Sequence, residues 1–322
     1  DRVDPRRLIA PAMGVSGVVV AGLTGQAQLL ETAPAIASEI PPDAPPIFPF
    51  LFVTIACGAI SGFHGLVSSG TTSKQMARMT DARPIGYGAM LAEGWLGLMA
   101  VLAATAGFAT HQEWEAHYAS WGAANGLSAK LEAFVAGGGR FIESLGIPLP
   151  AAETFMAVIV IAFAATSLDT GARIQRLVIA ELADAYRIRA LGNRFTAGAL
   201  GIGAALLLAV TQGDGQGGLA LWPLFGTTNQ LVASVTLLIV SIWLQKNGRP
   251  IVYTVVPMLA VSAATLWAMG GNLLHYYDHF EELALLAVSG TLILALDIWI
   301  LLEGLNMLWA GRSPDRPEAR PS

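Results

Sequence analysis

Residues 45–74 read PPIFPFLFVTIACGAISGFHGLVSSGTTSK, and this stretch decides the fold class. From Ile47 to Ser73 it contains no Asp, Glu, Lys or Arg, and it is longer than the roughly 20 residues that a helix needs to cross a bilayer. Its second half is rich in glycine, serine and threonine, which weaken a helix. The stretch therefore predicts a membrane-spanning helix that is interrupted.

The interruption has two interpretations, and the sequence leaves both open. An unwound backbone at membrane depth is tolerated only where protein or a polar cavity satisfies its amides and carbonyls, so the break is a reason to look for a binding site. Glycine, serine and threonine also cluster where two membrane helices pack closely, without any ligand.

Composition places the whole chain in the membrane. Of its 322 residues, 54% are hydrophobic and 13% are charged, against about 25% charged in soluble domains. The basic residues are too few and too scattered for a nucleic-acid-binding face. Cys57 is the single cysteine, which excludes an intrachain disulfide and a cysteine-based metal site. The sequence opens at Asp1 without a signal-peptide pattern, and we expect it to be a fragment of a longer protein.

The apolar segments predict an all-α protein with about eight spans, at residues 8–30, 47–70, 85–108, 154–171, 195–212, 219–244, 251–274 and 283–302. Lys and Arg concentrate in cytoplasmic loops. With both termini cytoplasmic, all but Lys130 and Arg140 of the 18 basic residues lie inside. Residues 111–150 are then an extracytoplasmic loop, with a short interfacial helix at 129–135 and flexible glycines at 137–139. The tail, 306–322, is cytoplasmic.

The sixth span carries a second polar break. Pro223 and Gly226 lie early in it and predict a kink, because proline removes a backbone donor and clashes with the preceding turn. The polar run at 227–230, Thr-Thr-Asn-Gln, then needs partners at membrane depth. Either a neighbouring helix or a transported solute can supply them.

Candidate ion-coupling groups occur in three other spans. Neutral oxygens suit a hard cation such as sodium, whereas intramembrane acids and histidines are candidate proton carriers. Glu93, Asp297 and His64 have structural interpretations as well, as hydrogen-bonded or packed side chains. The candidates for ion coupling are His64, Glu93, Thr166, Ser167, Asp169 and Thr170.

Enzyme signatures are absent from the sequence. It contains no His-Glu-x-x-His, no P-loop and no Gly-x-Ser-x-Gly. We therefore expect neither an enzyme nor a cofactor.

Four segments resemble the carbon starvation protein CstA family of bacterial inner-membrane transporters. They are residues 48–72 (FPFLFVTIACGAISGFHGLVSSGTT), 81–93 (DARPIGYGAMLAE), 167–176 (SLDTGARIQR) and 222–231 (WPLFGTTNQL). Ser73 stands where the family pattern has a proline. The resemblance implies uptake of pyruvate or short peptides during carbon limitation, and a LeuT-like architecture of inverted repeats with discontinuous helices. It also implies an N-terminal membrane region, missing here, as a partner.

These observations predict a secondary transporter of small carboxylates or short peptides, driven by a proton or sodium gradient. A membrane sensor that binds the metabolite without moving it is the alternative. Where the helix unwinds near Gly58 to Gly62, the following half-helix presents free backbone N–H groups that favour an anion. The predicted substrate-binding residues are Gly58, Ser61, Gly62, Ser68, Ser69, Thr228 and Asn229.

Overall fold

The computed structural model describes residues 9–27, 32–33, 36, 40–210 and 217–310, and within these ranges every regular element is a helix. The α-helices of five residues or more are α1 (Ile9–Leu23), α2 (Phe52–Ala59), α3 (Gly62–Val67), α4 (Ala82–Ala106), α5 (His111–His117), α6 (Trp121–Asn125), α7 (Leu127–Glu143), α8 (Leu149–Ala185), α9 (Arg194–Val210), α10 (Trp222–Lys246), α11 (Val252–Asp278) and α12 (Phe280–Ala310). The all-α fold class is confirmed.

Six helical segments within the described ranges are long and apolar enough to cross a bilayer: Ile47–Gln75, Met79–Ala106, Leu149–Ala185, Leu224–Lys246, Val252–Asp278 and Phe280–Ala310. Each overlaps a predicted span. The other two predicted spans correspond to α1, with 15 residues, and α9, with 17. Both are at or below the shortest length that crosses a bilayer. A count of eight therefore stays a prediction.

The surface of these helices is apolar. On α12, the exposed fractions of Leu292, Leu296 and Trp299 are 60%, 53% and 67%, while Asp297 on the same helix is 5% exposed. A soluble helix places its polar groups outside and its apolar stripe inside. Here the apolar residues are outside and the acid is inside, as expected for a helix that is surrounded by lipid. The protein is therefore a multi-pass membrane protein.

The chain divides into two compact units, which we describe separately. The first comprises Asp1–Ala44 and Met76–Asp169, and the second comprises Pro45–Gln75 and Thr170–Ser322.

Three consecutive glycines organise the first unit. Residues 137–139 were predicted to be flexible, but Gly137, Gly138 and Gly139 are buried within α7. A Cβ at Gly137 would collide with the carbonyl oxygen of Ala103 on α4, and one at Gly139 would lie 2.8 Å from Glu153 Cγ on α8. The prediction was wrong because glycine here allows neighbouring backbones to approach closely, as in other membrane helices.

The predicted loop at 111–150 is largely helical as well, since α5, α6, α7 and the start of α8 occupy most of it. Asp43 anchors it by accepting hydrogen bonds from the backbone N–H groups of Gly122 (3.0 Å) and Trp121 (3.3 Å). The Gly122 N–H is the main cause that lowers the pKa of the Asp43 carboxyl below its ordinary value. The segment before the first break is thereby attached to α6.

Helices α10, α11 and α12 form a bundle in the second unit. One apolar cluster includes Leu224, Met269 and Leu286, and a second includes Leu238, Met258 and Leu301. The prediction of a kink early in the sixth span is wrong. A 3₁₀ turn, Gly217–Leu221, precedes α10, which begins at Trp222 with its proline in the first turn. A proline is tolerated there because the first N–H groups of a helix have no partner within it.

Helix α8 is longer than predicted. The sequence placed a span at 154–171, whereas the helix runs for 37 residues, or about 55 Å at 1.5 Å per residue. It continues through the basic segment that contains Arg173 and Arg176, because nothing in that segment breaks a helix.

Candidate functional site

The segment Ile47–Gln75 is a broken helix, with the interruption at two residues. Ile60 (φ −128°, ψ 91°) and Ser61 (φ −107°, ψ 122°) are extended, between the end of α2 and the start of α3. After α3 the chain continues through a π-helical segment, Ser68–Thr72, to Gln75. The predicted interruption is thus present. Extended residues inside a helix leave carbonyls and amides that need partners from elsewhere.

Asn229 of α10 supplies much of this pairing. Its Oδ1 accepts a hydrogen bond from the Phe63 backbone N–H (2.8 Å) and another from the Ser61 hydroxyl (3.3 Å). Its Nδ2 donates to the carbonyl oxygen of Cys57 (3.4 Å) and to Cys57 Sγ (3.1 Å). One amide side chain therefore bridges both halves of the broken helix. The backbone N–H groups of this half-helix were predicted to be available to an anion, but that of Phe63 donates to Asn229.

Gln230 completes the arrangement. Its Nε2 donates to the carbonyl oxygen of Ile60 at 2.8 Å. Gln230 is 1% exposed and Asn229 is 7% exposed, so water has little access to the two amide side chains. A buried polar group that loses its partner costs about 1–3 kcal/mol. The amide pair therefore stabilises the break.

Gly62 and Gly65 allow the broken helix to pack closely against α10. A Cβ at Gly62 would collide with the carbonyl oxygen of Asn229 and lie 2.6 Å from Val232 Cβ. A Cβ at Gly65 would collide with Thr236 Oγ1. By contrast, a Cβ at Gly58 has nothing within 4 Å. The small-residue packing interpretation is thus correct for part of this stretch, and it coexists with the break.

Of the seven predicted substrate-binding residues, three lie together. Ser61, Gly62 and Asn229 meet at the break. Ser68 and Ser69 lie about two turns further along, and their hydroxyls donate to the carbonyl oxygen of Gly65 at 2.9 and 3.0 Å. Nearby on α10, the Thr228 hydroxyl donates to its own helix, at Leu224 O (2.8 Å). Gly58 lies in α2, before the break.

The predicted ion-coupling residues are distributed over both units. Glu93, Thr166, Ser167 and Asp169 belong to the first and are exposed, whereas Thr170 and the exposed His64 belong to the second. The Thr166 hydroxyl donates to Phe163 O at 2.9 Å. Glu93 is a polar member of the wall of a cavity of about 580 Å³ in the first unit, lined by apolar residues that include Trp95, Met99 and Phe141.

Two residues at the break were missing from the predicted site. Gln230 was recognised as a polar group at membrane depth but not as part of the site, and Cys57 was considered only for a disulfide or a metal site. Two adjacent amide side chains on a membrane helix, such as Asn229 and Gln230, could have indicated the site, because both need hydrogen-bond partners at membrane depth. The position of Cys57 near that pair could not be read without the register between the helices.

The sequence profile described as "Carbon starvation protein CstA" matches residues 7–123 and 106–268 of this chain. The chain belongs to the CstA family. The family resemblance read from the four segments is thereby confirmed.

Individual relatives agree with this assignment. The chain is 31% identical over 316 residues to "Peptide transporter CstA" of Helicobacter pylori strain J99, covering 80% of this chain and 44% of the relative. It is 34% identical over 296 residues to "Pyruvate/proton symporter BtsT" of Escherichia coli K12, covering 70% and 40%. A segment of 58 residues is 59% identical to "Peptide transporter CstA" of Escherichia coli K12. The chain spans less than half the length of these relatives. No solved structure matches it.

Proposed function

We propose that this chain is part of a secondary active transporter that takes up small carboxylates such as pyruvate, or short peptides, coupled to a proton or sodium gradient. The relatives are named as a peptide transporter and as a pyruvate/proton symporter. The observation that supports a transport site is the broken helix itself, because unwound backbone at membrane depth recurs where transporters bind their solutes. We propose a LeuT-like architecture and a bacterial inner-membrane location on the same family grounds.

The substrate carboxylate docks at the break. It replaces Asn229 Oδ1 as the acceptor for the Phe63 N–H and the Ser61 hydroxyl, because an ionised acceptor forms a stronger hydrogen bond than an amide oxygen. The released amide then turns its Nδ2 from Cys57 towards the carboxylate. In the protein without substrate, Asn229 Oδ1 thus accepts the hydrogen bonds that the substrate carboxylate accepts when it binds. Gln230 keeps its hydrogen bond to Ile60 O in both states. Ser68, Ser69, Gly58 and Thr228 line the approach.

The coupling ion is proposed at the residues that the sequence singled out. A proton uses His64 and Glu93. Sodium uses the oxygens on α8, at Thr166, Ser167, Asp169 and Thr170.

The test is uptake by the full-length protein in liposomes. Pyruvate, lactate and dipeptides are offered under separately imposed proton and sodium gradients. Accumulation above the external concentration, driven by one of the two gradients, is the expected result. Binding of these solutes without accumulation under either gradient would contradict the proposal and leave a sensor.

Orientation is tested on the same preparation. The proposed topology places residues 111–150 outside and the arginine-rich segment 173–194 in the cytoplasm. Single cysteines are introduced in each segment on a Cys57→Ser background and exposed to an impermeant thiol reagent in whole cells. We expect labelling in 111–150 alone, and labelling of the arginine segment from outside would refute the orientation.

A further inference from the structure

The bundle of α10, α11 and α12 contains a polar layer between its two apolar clusters. On α12, Gly290 packs against Leu224 and Met269, and Gly304 packs against Leu238. Asp297 lies seven residues from each glycine, two turns away on the same buried stripe. It is therefore level with the turns of α10 and α11 midway between those contacts.

The residues at that level are polar as well as buried. On α10 the midpoint between Leu224 and Leu238 is Leu231, and Ser234, which is 0% exposed, lies three residues further along in the same turn. On α11 it lies between Met258 and Met269 and contains Ser262 and Thr265, which are 7% and 1% exposed. We define the polar layer as Ser234, Ser262, Thr265 and Asp297. Three helices thus contribute buried oxygen atoms to the region between the two apolar clusters.

The hydrogen bonds of the layer are incomplete. Ser234 donates to Gln230 O (3.2 Å) and Thr265 donates to Val261 O (2.7 Å), which leaves both hydroxyl oxygens able to accept or to coordinate. Within the described part of the chain, Ser262 Oγ and Asp297 Oδ2 have no hydrogen-bond partner. A carboxyl with a purely structural role is normally paired when it is buried.

No basic side chain neutralises Asp297 from these helices. Tyr276 is the other buried titratable group on them, and it belongs to the apolar cluster of Leu224. The remaining titratable groups, Glu303 among them, are exposed, as is His64 on the broken helix. An unpaired ionised carboxylate in an apolar core is very costly, so charge neutrality here requires a cation from outside the protein.

We propose that the polar layer is a binding site for a monovalent cation, either a proton or a sodium ion, centred on the Asp297 carboxyl. The shared chemistry is neutralisation of one carboxylate. A proton does so by forming the carboxylic acid, and a sodium ion does so by coordination to the carboxylate and to hydroxyl oxygens.

The layer is connected to the break through one turn of α10. The Ser234 hydroxyl donates to the carbonyl oxygen of Gln230, and the Gln230 side chain donates to Ile60 O at the break. A cation that changes the charge of Asp297 therefore acts one hydrogen-bonded turn from the residues that hold the break. In this role Asp297 is a cation site in addition to the coupling residues proposed above, His64, Glu93 and those of α8. The role deepens the proposed function and rests on it, but cation binding itself does not.

Infrared difference spectroscopy of the purified full-length protein tests binding without transport. Spectra are recorded between high and low pH in potassium, then at fixed pH on replacement of potassium by sodium. Asp297→Asn is compared with Glu303→Gln, an exposed carboxyl on the same helix. We expect a protonated-carboxyl band on acidification in the parent and in Glu303→Gln that is missing in Asp297→Asn. If sodium displaces that band, sodium occupies the site, and if it does not, the ligand is the proton.

Transport in liposomes gives the second readout. Asp297→Asn fixes the layer in its neutral form. We therefore expect exchange of labelled substrate across the membrane to persist, whereas an ion gradient no longer raises the internal substrate concentration above the external one. Ser262→Ala, which retains the carboxyl, should retain accumulation and shift its ion dependence. Folding is verified by size-exclusion chromatography.

Identical carboxyl spectra in the parent and in Asp297→Asn would overturn the proposal. So would full gradient-driven accumulation by Asp297→Asn. If the parent shows no uptake while its Asp297 band titrates, the proposed transport function fails and the cation site stands.

Discussion

Asn229→Ala should open the break measurably. The substitution leaves the Phe63 N–H and the Ser61 hydroxyl without their acceptor and removes the two contacts with Cys57. The bond from the Phe63 N–H, at 2.8 Å, is the shortest of these and is partly buried, and a buried donor left without a partner costs about 1–3 kcal/mol. Side-chain hydrogen bonds in membrane proteins average about 0.6 kcal/mol, which favours the lower part of that range.

An energy difference of about 1–3 kcal/mol corresponds to about a 5-fold to 150-fold larger population of the opened break. Cys57 reports on it directly, because its carbonyl oxygen and its thiol, three residues before the break, both contact Asn229. The assay is the rate at which a small thiol reagent modifies the Cys57 peptide in the full-length protein, measured by mass spectrometry. Asn247→Ala is the matched control, since Asn247 is an exposed amide at the end of the same helix.

We expect Cys57 in Asn229→Ala to react at least about five times faster than in the parent, and in Asn247→Ala to react at the parental rate. In uptake, Asn229→Ala should raise the Michaelis constant more than it lowers expression. Equal Cys57 rates in the two variants would refute the conclusion that Asn229 holds the break closed.

The remaining predictions concern close packing, ion coupling and the loop. Gly62→Leu should abolish uptake because its side chain forces α10 away from the break, whereas Gly58→Ala should not, since its Cβ meets nothing within 4 Å; parental uptake by Gly62→Leu would refute this. If protons pass through His64 and Glu93, then His64→Ala or Glu93→Gln should flatten the pH dependence of uptake at unchanged folded yield; loss of folded protein with normal pH dependence would make both residues structural. The pKa of Asp43 is lowered from 3.8 in the folded protein, mainly by the Gly122 N–H. The ionised Asp43 carboxylate therefore stabilises the loop above pH 3.8, and this stabilisation is lost as the pH falls through the lowered pKa. Acid should increase proteolysis of the loop in the parent but not in Asp43→Asn. Equal dependence of proteolysis on pH in the two proteins would contradict the role of Asp43 as an anchor.

The break was predictable because its causes are local. Glycine and hydroxyl residues in an apolar stretch weaken the helix wherever it lies, and Ser61 and Gly62 are at the interruption. The need of Asn229 for a partner was also local. The identity of that partner was not, because Phe63 and Cys57 are more than 160 residues away in sequence, and the register between the two helices is set by their close approach at Gly62 and Gly65.

The errors have a common origin in glycine and proline, whose effects depend on their surroundings. Gly137 is flexible in isolation, but against Ala103 it provides the space for a helix crossing. Pro223 breaks a helix interior, but it is accommodated in a first turn. The sequence identified Asp297 as an acid inside a span. It did not reveal that Asp297 lies between two apolar clusters, because that position depends on how three helices pack together.

The most direct test of the account is the reactivity of Cys57 during transport. In liposomes that contain the full-length protein, uptake and modification of the Cys57 peptide are measured together over a range of pyruvate or dipeptide concentrations. If the carboxylate displaces Asn229 at the break, the Cys57 rate changes with substrate, and its half-point equals the Michaelis constant for uptake. A Cys57 rate that stays constant while uptake saturates would contradict a binding site at the break.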